Sequence, residues 1–396
     1  MKIAMIGQKG MPAIHGGVEK HVHDLSTRLV EFGHEITVYS RKWYTQSEDT
    51  KFKGVNIKHL PSIHTKHLDA ITHTFLATLH AIKNKYDVIH YHGVGPALLA
   101  WLPRLFAHRS LVIVTFHSID RYHQKWNFFA KAILHLGEWA ACRFPHQTIT
   151  VSQSLKKYCL NKYLKETNYI PNGVNLPSQI EADNKIKEFG LNKNQYLVMI
   201  SRLVPHKGAH VLIQAFTNIK KQSADNEQIK NLKLAIVGGS AYTNNYIKAL
   251  HKLAGQTNDI IFTDFQSGET LKQLYSHALA MIHPSFNEGL SIAVLEAMAY
   301  SRPTLVSNIA EHRELISNNK FIFRKNDVQD LEKKILNFLE MPDREKKNAA
   351  QQNKQTIKQF YLWEKIVPQI EEIYQDKKEE IYQDKKTEKI IATKIA

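Results

Sequence analysis

Short apolar runs recur along the chain, and between them lie stretches whose apolar residues follow helical spacing. Residues 2–7, 35–39, 88–91, Leu111–Phe116 and 148–151 predict strands, and residues 17–32 and 71–85 predict helices between them. The segment Tyr169-Ile170-Pro171-Asn172-Gly173-Val174-Asn175 carries a proline and an Asn-Gly pair, which is a turn or linker signal. A second series follows, with strands expected at 196–201, 232–237, Ile260–Phe262, Ala280–His283 and 304–306. Strands that alternate with helices argue an α/β fold with parallel sheets. The pattern predicts two doubly wound, Rossmann-like domains of similar size, 1–173 and 174–357, facing across a cleft, with ligands at the carboxyl ends of the strands.

Three helical patterns carry less certain faces. Residues 66–85 mix Leu68, Ile71, Phe75, Leu76, Leu79 and Ile82 with histidine and lysine, which fits a helix on an anionic membrane or one packed on a core. Base rate favours the core, and Trp126 to Trp139 carries the same ambiguity. Near the end, Phe360, Leu362, Trp363, Ile366, Val367 and Ile370 supply an apolar face, so a packed helix over about 359–374 is expected, returning at about 358 to the first domain. Beyond it, Glu371-Glu372-Ile373-Tyr374-Gln375-Asp376-Lys377-Lys378 recurs unchanged as residues 379–386. An eight-residue period matches no helical repeat, so a fraying, charged tail over 375–396 is expected, with disorder toward Ala396.

Charge and composition narrow the class. The 396 residues carry 53 Lys and Arg against 37 Asp and Glu, a net charge of +16. Residues 1–173 hold 22 of the bases and 11 of the acids, so the excess sits mainly in the first half and points to an anionic partner there, such as a membrane surface. Neither zinc-finger spacing nor an RNP signature is found, so no nucleic-acid partner is expected. The apolar stretch from Pro96 to Phe116 is broken by Arg104, His108 and Arg109, and the chain enters a strand pattern at once, so neither a membrane span nor a signal peptide is expected. Two cysteines, Cys142 and Cys159, give no disulfide framework. A cytoplasmic protein is the expectation.

Candidate chemistry gathers where strands end. After the run Ala280–His283 comes Phe286-Asn287-Glu288-Gly289-Leu290-Ser291, opening a helix that carries Glu296. Helix N-termini present unpaired N–H groups that suit an anion, while carboxylates there accept hydrogen bonds from neighbouring hydroxyls. Phosphate held by backbone and hydroxyls held by acids is a way to hold a nucleotide sugar. Arg202 and Lys207 follow the first strand of the second domain, where two cations suit a diphosphate. The first strand runs into Gly7-Gln8-Lys9-Gly10 and ends its loop at Gly16-Gly17, where backbone can approach a phosphate or sugar. This is not the dinucleotide fingerprint, whose glycines lie closer together. His117 and Asp120 follow the fourth strand. A neutral imidazole there suits a sugar hydroxyl and a protonated one suits phosphate. The chain has 22 histidines, so position singles out His117, with His92 after the third strand a weaker competitor. No HExxH, GxSxG or Walker A motif is present.

Together these residues resemble a GT-B glycosyltransferase of family GT4, over essentially the whole chain to about Tyr374. Glu288 and Glu296 are similar to that family's E-x7-E motif, and Arg202 with Lys207 to its diphosphate clamp. The opening loop, with Gly33-His34-Glu35-Ile36-Thr37-Val38-Tyr39, looks like a branch containing rhamnosyl- and related transferases of bacterial surface polysaccharides. The resemblance implies retention of anomeric configuration and no metal or other cofactor. It implies that Arg202 and Lys207 hold a UDP-, GDP- or dTDP-sugar by its diphosphate, with Gly16 and Gly17 approaching through backbone. Glu288 would hold sugar hydroxyls, Gly289 and Leu290 N–H groups would lie near phosphate, and Glu296 would take the ribose. His117 would contact the sugar or assist departure of the leaving group, and Asp120 would stand on the acceptor side. Ser118 stands where that branch often has glycine.

The expected reaction moves a hexose or deoxyhexose to a glycan or lipid-linked acceptor in lipopolysaccharide, capsule or other surface polysaccharide assembly. Two rival expectations remain: a sugar-nucleotide epimerase of the same shape, which needs no acceptor, and a non-catalytic nucleic-acid or membrane binder that uses the basic face.

Overall fold

The computed structural model describes residues 1–45, 49–65, 68–122, 127–222, 226–240, 243–376 and 378. The repeated tail beyond residue 378, together with Lys66 and Trp126 of the two ambiguous helical segments, lies outside the described residues. The chain divides into two compact units, Met1–Gly173 with the chain from Trp363, and Val174–Leu362.

Unit 1 is built on β1 (Lys2–Ile6), β2 (Glu35–Arg41), β3 (Lys51–Phe52), β4 (Val55–Leu60), β5 (Val88–His92), β6 (Leu111–Phe116), β7 (Gln147–Thr150) and β8 (Asn168–Tyr169), in the sheet order β3-β4-β2-β1-β5-β6-β7-β8. Every pairing is parallel except β3 with β4. All residues of β5 and β6 are buried, as expected of strands covered on both faces by crossover helices. The helices are α1 (Gly17–Glu31), α2 (Asp69–Lys83), α3 (Val94–Ala97), α4 (Trp101–Phe106), α5 (Phe128–Arg143) and α6 (Gln153–Tyr163). Strand order reverses between β1 and β5, so their carboxyl ends flank the switch point where ligands of such sheets bind.

Two faces differ from the sequence expectation. In α2 the residues turned inward are Asp69, His73, Thr74, Ala77, Thr78 and Ala81. Asp69 accepts from Arg41 at 2.6 Å and Thr78 meets the Tyr91 hydroxyl at 2.9 Å, so polar bonds and small side chains seat this helix. Leu68, Phe75, Leu76 and Leu79 are exposed, the reverse of the core-facing helix expected from its periodicity. In the C-terminal segment, Phe360 lies in a π-helical turn, Ile357–Tyr361, and is exposed. The packing face of the helix over 363–376 is supplied by Trp363, Ile366, Val367, Ile370 and Tyr374, which join Val22, Leu25 and Leu29 of α1 in one core.

That return helix explains the turn signal at Gly173. A Cβ built there would stand 2.3 Å from Trp363 Cδ2, and the Trp363 ring is fully buried and has nowhere to move. Gly173→Ala is therefore expected to cost about 1–3 kcal/mol through overpacking, read as a lower urea midpoint.

Unit 2 holds β9 (Tyr196–Ile200), β10 (Lys233–Val237), β11 (Ile260–Phe262), β12 (Ala280–His283), β13 (Thr304–Ser307) and β14 (Ile322–Phe323), all parallel, in the order β11-β10-β9-β12-β13-β14. Its helices are α7 (Asn184–Lys187), α8 (Ala209–Gln222), α9 (Glu227–Asn231), α10 (Asn244–Ala254), α11 (Gly268–Ser276), α12 (Ile292–Ala299), α13 (Ala310–Leu315), α14 (Val328–Glu340) and α15 (Asp343–Thr356). The order reverses between β9 and β12, so the loops leaving these two strands share the switch point.

Candidate active site

The loops after β9 and β12 touch. Gly208 adopts a φ of +74°, and a Cβ on it would lie 2.2 Å from the Pro284 carbonyl oxygen, so only glycine allows the approach. Phe286 N–H donates to the His206 carbonyl at 2.7 Å, and the Ser285 hydroxyl donates to the same oxygen at 3.3 Å. These bonds bring Lys207, which closes the 3-10 turn Pro205–Lys207, onto the Glu288 carboxylate. Lys207 Nζ donates to Glu288 Oε1 at 2.5 Å and His283 Nε2 to the same oxygen at 2.8 Å. Ser291 Oγ lies 3.2 Å from His283 Nε2. Behind His283 stands His312, its ring centre 5.4 Å away, with Nδ1 3.0 Å from the Ser307 hydroxyl.

Charge explains the arrangement. Burial favours a protonated Glu288, but the Lys207 ammonium and the His283 hydrogen bond outweigh it and hold the carboxyl well below its usual range. Burial lowers the Lys207 pKa, its partner Glu288 resists that, and Arg202 adds to the lowering. Arg202 thus sits near the pair, although its own side chain is exposed. Burial lowers the His283 pKa against the pull of Glu288, and moves His312 down to about 3. Both rings are therefore neutral near pH 7, and His283 carries its proton on Nε2 because an ionised carboxylate only accepts.

The other three donor-side candidates follow in sequence. Gly289 and Leu290 are buried just ahead of Ser291, the N-cap of α12. Glu296 stands on the second turn and accepts from the Tyr275 hydroxyl at 2.9 Å, while Tyr275 stacks on Tyr300 at 5.2 Å. The two glutamates thus have separate protein partners.

In unit 1 the carboxyl ends of β1, β5 and β6 come together. Gly7, at φ +120°, leaves room for the His92 carbonyl, which would lie 2.5 Å from a Cβ. Gly16, at φ +103°, is the N-cap of α1, and Gly17 opens that helix on an exposed corner. Glu19 folds back so closely that a Cβ on Gly16 would lie 2.0 Å from its Oε2. The Tyr44 hydroxyl accepts from Ile14 N–H at 2.7 Å and His15 N–H at 3.1 Å, which fixes the loop ahead of the glycine pair.

His117 is buried and does not stand alone. His92 Nδ1 lies 3.2 Å from His117 Nε2, and the His21 ring centre lies 4.9 Å from that of His117. His90, one step behind, bonds the Tyr374 and Thr115 hydroxyls at 2.7 Å each. Burial pulls every one of these rings down: His21 to about 4, His90 to about 3, and His92 and His117 well below the ordinary value, helped by their mutual repulsion. Of the two roles open to His117 in the sequence, the neutral hydrogen-bonding one fits this pocket. Asp120 accepts from the Ser118 hydroxyl at 2.6 Å, a bond that glycine at 118 would lack.

Two groups among the described residues place three possible metal-ligating atoms within 4.8 Å of one another: His21, His92 and His117 in unit 1, and His283, Glu288 and His312 in unit 2. The second already has the Lys207 ammonium on its only carboxylate. The first is an all-imidazole set of a type that suits zinc.

The sequence singles out Arg202, Lys207, Glu288 and His117 as candidates and offers His92 as a weaker competitor of His117, where the structure makes it a neighbour. His283 is not among those candidates, although it is the last residue of β12 as His117 is the first beyond β6. His21 and Tyr44 gave no local signal, because helix packing and chain reversal bring them in.

Residues 15–177 match the glycosyltransferase family 4 domain and residues 181–358 the glycosyl transferases group 1 domain. An uncharacterized glycosyltransferase of Methanocaldococcus jannaschii is 30% identical over 82% of this chain and 86% of its own length. A UDP-Gal:alpha-D-GlcNAc-diphosphoundecaprenol alpha-1,3-galactosyltransferase of Escherichia coli is 26% identical over 62% of this chain and 64% of its own. Among solved structures, Anabaena HepE in complex with UDP-glucose superposes with a TM-score of 0.76 at 20% identity, covering 94% of this chain and 99% of that one. The chain belongs to the family 4 glycosyltransferases and is an enzyme of that class with the GT-B fold.

Proposed function

We propose that this enzyme transfers a hexose or deoxyhexose from a nucleoside-diphosphate sugar to a glycan or lipid-linked acceptor during assembly of a bacterial surface polysaccharide, lipopolysaccharide or capsule. The observation that carries the reading is the Lys207–Glu288–His283 constellation at the paired carboxyl ends of β9 and β12. Both protein donors converge on Glu288 Oε1, and among the described residues no hydrogen bond to Oε2 is found, so that oxygen suits a sugar hydroxyl. Arg202 and Lys207 bring positive charge to a departing diphosphate, with backbone N–H groups of Gly289 and Leu290 beside them. Glu296 takes the ribose hydroxyls. In unit 1, neutral His117 donates to the sugar, Gly16 and Gly17 approach the donor through backbone, and Asp120 stands on the acceptor side.

Reaction breaks the bond from the anomeric carbon to the diphosphate oxygen, whose electron pair stays with phosphate, while the acceptor hydroxyl oxygen bonds to that carbon. The hydroxyl proton passes to the leaving phosphate on the same face, which retains configuration without a carboxylate nucleophile. The alpha linkage in the Escherichia coli relative's name and the UDP-glucose in the Anabaena complex support this choice of donor and outcome. Cationic side chains take the place that a divalent ion would hold at the diphosphate, so turnover is expected to survive EDTA. Loss of activity on chelation, restored by added zinc, would instead assign the unit 1 imidazoles a metal. The enzyme works in the cytoplasm at the inner face of the membrane.

The discriminating experiment omits the acceptor. Transfer to a diphosphoundecaprenol-linked sugar should consume donor only when that acceptor or another glycan is present. Donor converted to an isomeric nucleotide sugar without acceptor would make the protein an epimerase.

A further inference from the structure

Two helices of unit 1 are inside out. In α2 and α5 the buried positions are filled mainly by small or polar residues while large apolar side chains face outward, and α4, which buries Leu102 and Pro103, adds further exposed apolar side chains beside them. In α5 the inward set includes Ala130, Gly137, Glu138, Ala140 and Ala141, and Gly137 packs so closely on α3 that a Cβ would lie 2.4 Å from the Val94 carbonyl oxygen. Glu138 is fully buried and held by Arg121 at 2.9 Å and by the Tyr158 and Tyr163 hydroxyls at 2.7 and 2.8 Å. The outer side is left with Phe128 at 88% exposure and Phe129 at 71%, beside Leu136 and Trp139. On α4 the exposed residues include Leu105 and Phe106. By contrast, α8 in unit 2 buries Val211, Leu212, Phe216 and Ile219 as an ordinary surface helix does.

The outward side chains form one face. The crossovers β4–α2–β5, β5–α3/α4–β6 and β6–α5–β7 all run in the same direction along the sheet, and right-handed connections then place their helices on the same side. The helices also pack together, α2 on α3 and α4, and α3 on α5. Apolar surface this concentrated marks a binding face.

Charge identifies what binds. From Pro61 to Arg143 the sequence holds nine Lys and Arg and four acids. None of the four acids, Asp69, Asp87, Asp120 and Glu138, is exposed, whereas Lys83, Arg104, Arg109, Lys131 and Arg143 are. Apolar side chains rimmed by cations, with no exposed acid, complement an anionic bilayer: the rings enter the interface and the bases meet lipid phosphate.

We propose that the outer face of α2, α4 and α5 docks this enzyme on an anionic lipid bilayer, with Phe128 and Phe129 as the inserted side chains. The proposal builds on a lipid-linked acceptor but is read without turnover. The full chain is sedimented with vesicles of phosphatidylcholine alone and with vesicles containing phosphatidylglycerol. Binding to the anionic vesicles is expected, at least tenfold weaker for Phe128→Ser/Phe129→Ser, and about fivefold weaker for each of Arg109→Glu and Lys131→Glu, with 0.5 M salt acting in the same direction. These residues lie outside the donor site and are exposed, so circular dichroism and donor binding should be unchanged in all variants. Wild-type protein left in the supernatant with anionic vesicles overturns the proposal. So does equal binding by the phenylalanine variant, and so does a dimer in solution that this variant dissolves without any lipid binding, which would assign the face to a second copy.

Discussion

Lys207→Met is expected to lower the stability of unit 2 by about 3–5 kcal/mol and sugar transfer by at least about a hundredfold. Glu288 is ionised in a buried site because Lys207 is 2.5 Å away. Without that charge, burial pushes the Glu288 carboxyl upward against the His283 hydrogen bond, so the ionised form that pairs with His283 is less favoured. The double change Lys207→Met/Glu288→Leu removes both buried charges together and is expected to regain most of the lost stability and none of the activity. Urea unfolding and initial rates on the same preparations separate the two effects. A double variant as unstable as the single one would show that the pair is not the source.

The second large effect is acid lability. His21 and His73 have values lowered to about 4, and His90 and His312 to about 3, chiefly by burial. Below pH 6.5 the unfolded chain takes protons that the folded protein refuses, so stability falls as pH falls, through the window from 6.5 to the folded values. Each ring costs about 2 kcal/mol between pH 6.5 and 5. Urea midpoints at pH 7.5, 6.5 and 5.0 should therefore fall steeply, and His21→Leu should flatten the slope by its own share. Midpoints that do not move across this range would contradict the buried neutral cluster. For the same reason His117 should contribute no titration to the activity profile between pH 6 and 8.

Much of the fold was legible because parallel strands buried on both faces read as continuous apolar runs, as β6 and β12 do. Strand β4 is not legible although Val55 and Ile57 alternate with Asn56 and Lys58, since a half-covered strand beside a two-residue partner carries a short signal. Periodicity showed that α2 has an apolar stripe but not which way it faces. That is decided by Asp69 and Thr78, whose partners Arg41 and Tyr91 come from other strands. In the candidate site, position after a strand end singles out Arg202, Lys207, Glu288 and His117. It could not show that Lys207 and Glu288 touch, because a glycine contact between two loops sets that distance. Nor could it show that His117 has imidazole neighbours, because one of them arrives on a helix.

The measurement that bears most directly on the account is nucleoside-diphosphate release from a panel of UDP-, GDP- and dTDP-sugars with a lipid-linked acceptor, for the wild type, Glu288→Ala and Lys207→Ala, each checked for native circular dichroism. The wild type is expected to consume a donor, and both variants to release its nucleotide at least about a hundredfold more slowly. Turnover unaffected by both substitutions would contradict the account.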